Sequence, residues 1–234
     1  MRSPLNTLLQ ILFQLLLLPI WYLPGHAGNA LRYHYYKHKL KHLGQNVMID
    51  VGVQIQNPQY ISIGDNTWID RYVILLAGRT QRKRETLHKP NLNYRFGPGE
   101  LHVGNNVHIG PFTIISAIGG VQLGDDVTLS AGCKVYSFSH HYRSFQDPSN
   151  RSFAFGSMVA PERQSMLSSP VVFENNTGMA LNGVVLPGVT VGRDSFVMIN
   201  AVVTKNVPPN SLVAGHPAKV VDERFVTVAD SPGY

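Results

Sequence analysis

Ile61-Ser-Ile-Gly-Asp-Asn66, Leu101-His-Val-Gly-Asn-Asn106 and Val121-Gln-Leu-Gly-Asp-Asp126 are copies of one phrase: apolar, any residue, apolar, Gly, then two Asn or Asp residues. Weaker copies stand at Val171-Val-Phe-Glu-Asn-Asn176 and Val189-Thr-Val-Gly-Arg-Asp194. The last two start 18 residues apart, and those at 101 and 121 start 20 apart. Residues 61 and 101 are 40 apart, but 79–100 is a polar, basic run of 22, and its removal leaves one 18-residue unit. The 50 residues from 121 to 171 hold about 32 too many for one unit, and the polar stretch His140–Ser169 supplies them.

Within each unit apolar residues step by six: Phe173, Met179, Val185, Val191, Val197 and Val203, and likewise Val103, Ile109, Ile115 and Val121. A period of six fits neither a helix nor an alternating strand. It fits three short strands per coil, each followed by a tight corner, with the apolar residue pointing inward onto its equivalent one coil away. Gly, Asn and Asp supply the positive-φ corners. The expected fold is all-β, with six coils at 43–60, 61–78, 101–120, 121–138, 171–188 and 189–206, interrupted by insertions at 79–100 and 140–170. A helical segment over 1–42 precedes the coils and a tail over 222–234 follows.

Composition agrees with a packed body. The chain has 234 residues, 44% hydrophobic and 15% charged, which excludes a disordered polar chain. Its 21 Gly and 15 Pro follow no G-X-Y period, so it is not collagen-like. The single cysteine, Cys133, excludes an internal disulfide and a cysteine-based zinc site. The net charge of +6 is unevenly placed. Residues 1–49 hold five Lys/Arg and no acid, residues 79–95 hold six against Glu85 alone, and the remainder carries a net −4. A nucleic-acid binder spreads a basic stripe over its fold, so no nucleic-acid partner is expected.

Residues 5–24, LNTLLQILFQLLLLPIWYLP, are about long enough to cross a bilayer. Asn6, Thr7, Gln10 and Gln14 interrupt them, and Pro19 is expected to break the second half. Trp21 and Tyr22 sit where an interfacial anchor belongs. The next stretch, Leu31–Leu43, interleaves Arg, Lys and His with Tyr and Leu and suits anionic headgroups. Four readings stay open: a membrane-surface helix, a signal peptide, a transmembrane anchor, and a helix packed on the protein's own core. The first fits best.

The run Val185-Leu-Pro-Gly-Val-Thr-Val-Gly192, followed by Val203-Thr-Lys-Asn-Val-Pro-Pro-Asn-Ser-Leu-Val-Ala-Gly-His-Pro-Ala-Lys-Val220, resembles the end of a hexapeptide-repeat acyltransferase. The likeness covers about 43–221. It implies a left-handed parallel β-helix, a hand opposite to the usual crossover rule. The N-terminal portion is similar to the O-acetyltransferases of bacterial surface-polysaccharide synthesis. The resemblance implies a homotrimer using acetyl-CoA to acetylate a hydroxyl of a sugar or lipid-linked saccharide, in the cytoplasm and peripheral on the inner face of the cell membrane. No metal is expected. Coenzyme A would lie between subunits near the last coils. There Thr204 and Lys205 match a cofactor-contacting Thr-Lys, Lys219 matches a basic residue near the phosphates, and Ile199-Asn200 stand where a Gly/Ala-rich stretch usually leaves room for the pantetheine arm. A common tryptophan is Gly178 here, Leu181 replaces a small or polar residue, and Asp222 replaces a basic one.

Acyl transfer from a thioester needs a base for the acceptor hydroxyl, and histidine suits neutral pH. Of the ten histidines, His102 and His108 occupy outward repeat positions and read as surface. His140 and His141 stand at the root of the second insertion, a favoured place for catalytic groups. Ser139-His140-His141-Tyr142 resembles a Ser-His-Asp-Tyr run of similar acetyltransferases, which implies His140 as base, with His141 second. The sequence does not identify a carboxylate to orient the imidazole; Asp147 is one candidate. The basic insertion reads equally as a solvated loop and as an arm meeting a phosphate-bearing acceptor. Two other functions compete. A gamma-class carbonic anhydrase-like zinc enzyme needs a His-x4-His pair, which is absent here. A non-catalytic β-helix scaffold would not need histidines at a coil edge.

Overall fold

The computed structural model describes residue 15, residues 17–80 and residues 83–226. Its body is a three-sided coil, the left-handed parallel β-helix. One face stacks His42–Leu43, Ile61–Ile63, Leu101–Val103, Val121–Leu123, Val171–Phe173 and Thr190–Val191. The second stacks Met48–Ile49, Trp68–Ile69, His108–Ile109, Thr128–Leu129, Gly178–Met179 and Phe196–Val197. The third stacks Gln54–Gln56, Ile74–Leu76, Ile114–Ser116, Lys134–Tyr136, Val184–Val185 and Val202–Val203. All these neighbours pair in parallel. An antiparallel hairpin, Ser211–Gly215 with Ala218–Glu223, closes the second face.

All six expected coils are present, with small changes. His42 pairs with Ser62, so the first coil is longer than 18 residues, because a 3-10 turn at Pro58–Tyr60 adds to its last corner. The final strand runs to Glu223, past the expected start of the tail, because its backbone pairs with Ser211–Gly215. The expectations for residues 1–14, 16 and 227–234 fall outside the described residues.

The inward residues are those of the six-residue step. Ile49, Ile69, Ile109, Leu129, Met179 and Val197 are fully buried in one column, and Leu75, Ile115, Val135 and Val185 in another. Each such side chain contributes about 1.5–3 kcal/mol on leaving water. At the corner between the first and second faces, Asn46, Asn66, Asn106, Asp126, Asn176, Asp194 and Asn210 all hold φ between 52° and 60°. Asn and Asp tolerate this left-handed region better than other residues with a Cβ. Their side chains also bond between coils: Asn46 donates to Asn66 at 2.9 Å and Asn106 to Asp126 at 3.0 Å.

The N-terminal segment is more deeply tied to the body than a basic membrane-facing strip would be. Residues 17–22 are helical, Pro19 included, and the break falls at Leu23-Pro24 instead. Proline disfavours helix in the residue before it. A second helix, Gly25–Lys37, lies on the first coil and buries Gly28, Arg32 and Tyr36. Arg32, counted by composition as surface charge, is 1% exposed. Its guanidinium donates to the carbonyls of Ile49 (2.5 Å), Ile20 (3.1 Å) and Leu23 (2.9 Å) and to Asn29 Oδ1 (2.5 Å). It thus takes up carbonyls at the end of the first helix and joins them to the coil. Burial lowers its pKa, partly opposed by Asp50. Lys37, Lys39 and Lys41 remain exposed, although Lys41 bonds Glu100 at 2.8 Å.

Replacing Arg32 with Ala leaves several carbonyls without their donor. A buried acceptor left unsatisfied costs about 1–3 kcal/mol. Arg32→Ala should therefore lower the urea midpoint accordingly and expose residues 17–38 to limited proteolysis before the coils, whereas Lys37→Ala should do neither.

Candidate active site

Both insertions leave the coil at the same corner, between the third and first faces. The first departs after Ile74–Leu76 and the second after Lys134–Tyr136, two coils further on. Outside the coil they pair with each other. Ser165–Ser168 runs parallel to Glu85–His88 and antiparallel to Phe138–His141, forming a separate three-stranded sheet. The sequence carries no signal for this joint sheet, because both stretches are polar and neither has a period. The first insertion continues down the corner, where Asn91 Nδ2 donates to the Pro170 carbonyl at 3.1 Å and to Thr190 Oγ1 at 3.0 Å.

Side chains alternate across a sheet, so the register assigns its faces. His140 pairs with Met166 and Thr86, and Phe138 with Ser168 and His88. These six share one face. His141, Ser165 and Glu85 share the other. The two adjacent histidines therefore meet different surroundings.

On the second face His141 is fixed. Its Nδ1 donates to the Arg143 carbonyl at 2.8 Å, and its ring stacks between Tyr142 (4.3 Å between centroids) and Phe145 (4.1 Å). The loop beyond it is held by Glu85 of the other insertion. Oε1 of Glu85 accepts from Ser144 Oγ (2.9 Å) and from the Phe145 (3.0 Å) and Gln146 (2.8 Å) amides, and Oε2 accepts from Ser165 Oγ (2.8 Å). Partial desolvation pushes this carboxyl up, and the hydrogen bonds together outweigh it, leaving the pKa below the ordinary glutamate value. Asp147, the sequence-based guess for an orienting group, instead accepts from Ser149 of its own turn.

On the first face His140 keeps its Nε2 buried with no hydrogen-bond partner, and the Phe155 ring meets its imidazole edge-on at 5.7 Å. The same face closes a cavity of about 740 Å³ to which Thr86, His88, Phe138 and Ser168 contribute. Arg79, Lys83, Arg84 and Lys89 bring positive charge to its wall, Tyr94 and Phe96 line it, and Ile118, Phe138 and Pro170 make it partly apolar.

The remaining expected residues sit on the last coils. Thr204 and Lys205 are exposed at the corner that carries the insertions, two coils beyond the second one. Ile199 is exposed at the preceding corner, between the second and third faces, and Lys219 lies on the closing hairpin. Exposed apolar residues recur along the Ile199 corner, at Tyr72, Phe112 and Leu181, and the Tyr72 and Phe112 rings stack at 5.6 Å. Gly178 is explained by its neighbour: a Cβ there would stand 2.5 Å from the Phe196 ring, which fills the space.

Three other groups are accounted for. His102 is half-buried beneath Phe96, stacked at 4.0 Å, and is not freely solvated; desolvation lowers its pKa, partly opposed by Asp125. His108 Nε2 meets Asp70 at 2.9 Å. Burial pushes the Cys133 thiol up to about 11, so it is not a thiolate nucleophile at neutral pH. Among the described residues no three His, Cys, Asp or Glu side chains group to hold a metal ion.

Because the folded Glu85 pKa is depressed, its stabilising effect is present above the ordinary glutamate pKa and is lost as pH falls through the folded value. Glu85→Gln should accordingly flatten the loss of thermal stability on acidification below that pKa. It should also loosen residues 142–146, read as faster amide exchange.

No family model matches the chain. Comparison with curated proteins finds the Escherichia coli K12 protein WbbJ, named for O-acetyl transfer in lipopolysaccharide biosynthesis, 30% identical over 54% of this chain and 62% of its own length. Galactoside O-acetyltransferase of the same organism is 23% identical over 70% of this chain and 64% of its own. The chain thus spans less than two thirds of either relative. Among solved structures, the Bacillus cereus N-acyltransferase AntD in complex with dTDP and coenzyme A superposes with a TM-score of 0.66 at 19% identity, covering 82% of this chain and 89% of AntD. A Vibrio cholerae hexapeptide-repeat acetyltransferase complexed with acetyl coenzyme A gives 0.51 at 22% identity, covering 84% and 78%. The repeat frame, the three-faced parallel coil and these likenesses give the chain the fold of the hexapeptide-repeat acyltransferases and a sequence resemblance to their O-acetyltransferases.

Proposed function

We propose that the protein is an O-acetyltransferase that moves an acetyl group from acetyl-CoA to a hydroxyl of a sugar or lipid-linked saccharide, with His140 as general base. The observation that carries this reading is the buried His140 Nε2 without a partner, on the sheet face that closes the basic cavity. A buried polar atom is normally satisfied, and an acceptor hydroxyl is the group that would satisfy this one. The imidazole would take the hydroxyl proton as that oxygen attacks the thioester carbonyl. It would return the proton to the departing coenzyme A sulfur as the tetrahedral intermediate collapses. His141, held by Arg143 and two rings, would keep the strand in place.

The relatives support this chemistry. WbbJ and galactoside O-acetyltransferase are named for O-acetyl transfer. AntD is an N-acyltransferase solved with coenzyme A and with dTDP-4-amino-4,6-dideoxyglucose, which supports a saccharide acceptor. Coenzyme A would run along the last coils past Ile199, Thr204, Lys205 and Lys219. The apolar corner at Tyr72, Phe112, Leu181 and Ile199 supports self-association, here proposed as a trimer. The protein would work in the cytoplasm on the inner face of the membrane. Lys37 and Lys39 are exposed for that contact, and no helix among the described residues is long and apolar enough to cross a bilayer.

Acetyl-CoA turnover with sugar acceptors tests the assignment. His140→Ala should lower kcat/KM about a hundredfold or more. Wild-type turnover in that variant, with loss in His141→Ala, would transfer the base to His141. Lys37→Ala/Lys39→Ala/Lys41→Ala should release the protein from anionic vesicles in a flotation assay and leave turnover of a soluble acceptor unchanged.

A further inference from the structure

We propose that the cavity between the two insertions binds the diphosphate of a glycosyl diphosphate, so that the acceptor sugar arrives on a diphosphate carrier. The acceptor part of this inference rests on the transfer reading above; the anion site does not.

The cavity has the charge for it. Arg79, Lys83, Arg84 and Lys89 line it, and no carboxylate does. The two acids of the first insertion are committed elsewhere. Glu85 is on the opposite face of the sheet, accepting four hydrogen bonds from the second insertion and its loop. Glu100 bonds Lys41. Lys83 and Lys89 enter no ion pair among the described residues, and both are exposed. The like charges of Lys83 and Lys89 on one cavity wall repel, and a doubly charged anion relieves this.

The cavity also has the shape for it. Its volume of about 740 Å³ is within the range of small-molecule sites. Its cations come from the first insertion, while Ile118, Phe138 and Pro170 supply apolar surface and Tyr94 and Phe96 supply ring faces. An inorganic anion would use only the first set. A molecule with a charged diphosphate and a sugar ring uses both, and its sugar would lie toward the sheet face that bears His140.

Isothermal titration of the full chain tests this with inorganic pyrophosphate, UDP-glucose, farnesyl diphosphate and free glucose. Pyrophosphate should bind with an affinity that falls as salt rises. Lys83→Ala/Lys89→Ala should weaken it at least tenfold, and Lys83→Arg/Lys89→Arg should restore it. UDP-glucose should bind more tightly than pyrophosphate if the carrier is a nucleotide, and farnesyl diphosphate if it is a lipid; free glucose should bind far more weakly than either. Pyrophosphate affinity unchanged in the Ala pair, or absent in the wild type, overturns the site. Neither conjugate exceeding pyrophosphate overturns the carrier assignment. His140→Ala should keep its pyrophosphate affinity, so failure of the transfer reading and failure of this site register separately.

Discussion

A strand of two or three residues cannot hold itself. Every strand of the coil is that short, so each depends on the equivalent strand one coil above and one below. The stack is the constraint on which the rest depends. It requires the chain to return to the same register after each circuit, whatever lies between. An insertion is therefore tolerated only where it leaves and re-enters at one corner, as both do after the third face. Successive coils rise by about 4.8 Å, so the second insertion and the Thr204-Lys205 corner are separated by roughly 10 Å along one edge. A long thioester donor and an acceptor held by the insertions could meet along such an edge without any adjustment of the coil.

The insertions solve the same problem outside the stack. Glu85–His88 alone is a single short strand with no core to cover. Ser165–Ser168 gives it a ladder, and Phe138–His141 completes the sheet. Glu85 then reaches across the junction and accepts from the Ser144 hydroxyl and the Phe145 and Gln146 amides. The orientation of the histidine pair is consequently a joint product of two segments that begin 61 residues apart at Arg79 and His140. Damage to either should be felt by both.

The coils were readable because the stack repeats one physical demand. An inward apolar residue recurs every six positions and a corner residue recurs with it, so Val103, Ile109 and Ile115 declare their own burial. The position of the histidine pair at an insertion root was also readable, because the polar run that follows it breaks the repeat. What could not be read has no period. The register between Glu85–His88 and Ser165–Ser168 is fixed by two polar segments meeting once. Glu85 had a signal, as the only acid in a basic stretch, but nothing local names its partners. Arg32 looked like one more surface charge because its acceptors are mainly backbone carbonyls, which composition cannot show. Gly178 looked like a departure until Phe196, 18 residues on, was seen to occupy its space. Pro19 looked like a break, and Pro24 supplied it.

The uneven charge follows from the same division of labour. Several acids of the body are corner residues: Asp65 accepts from the Gln45 amide, Asp125 from the Asn105 amide, and Asp126 from the Asn106 side chain. Short acidic side chains are useful at such corners because they accept from an amide one coil away and, at positions such as Asp126, tolerate positive φ. The body thus acquires its slight negative charge from its architecture. Most basic residues lie where the chain leaves the stack, with Arg71, Lys134 and Arg193 among the exceptions. There they divide by environment: Arg32 is consumed in joining the helices to the first coil, and Lys83 and Lys89 stay exposed at the cavity. A basic residue in this chain is therefore best judged by whether backbone carbonyls surround it. Where they do, as at Arg32, the charge is structural; where no described residue bonds it, as at Lys83 and Lys89, it is available to a ligand.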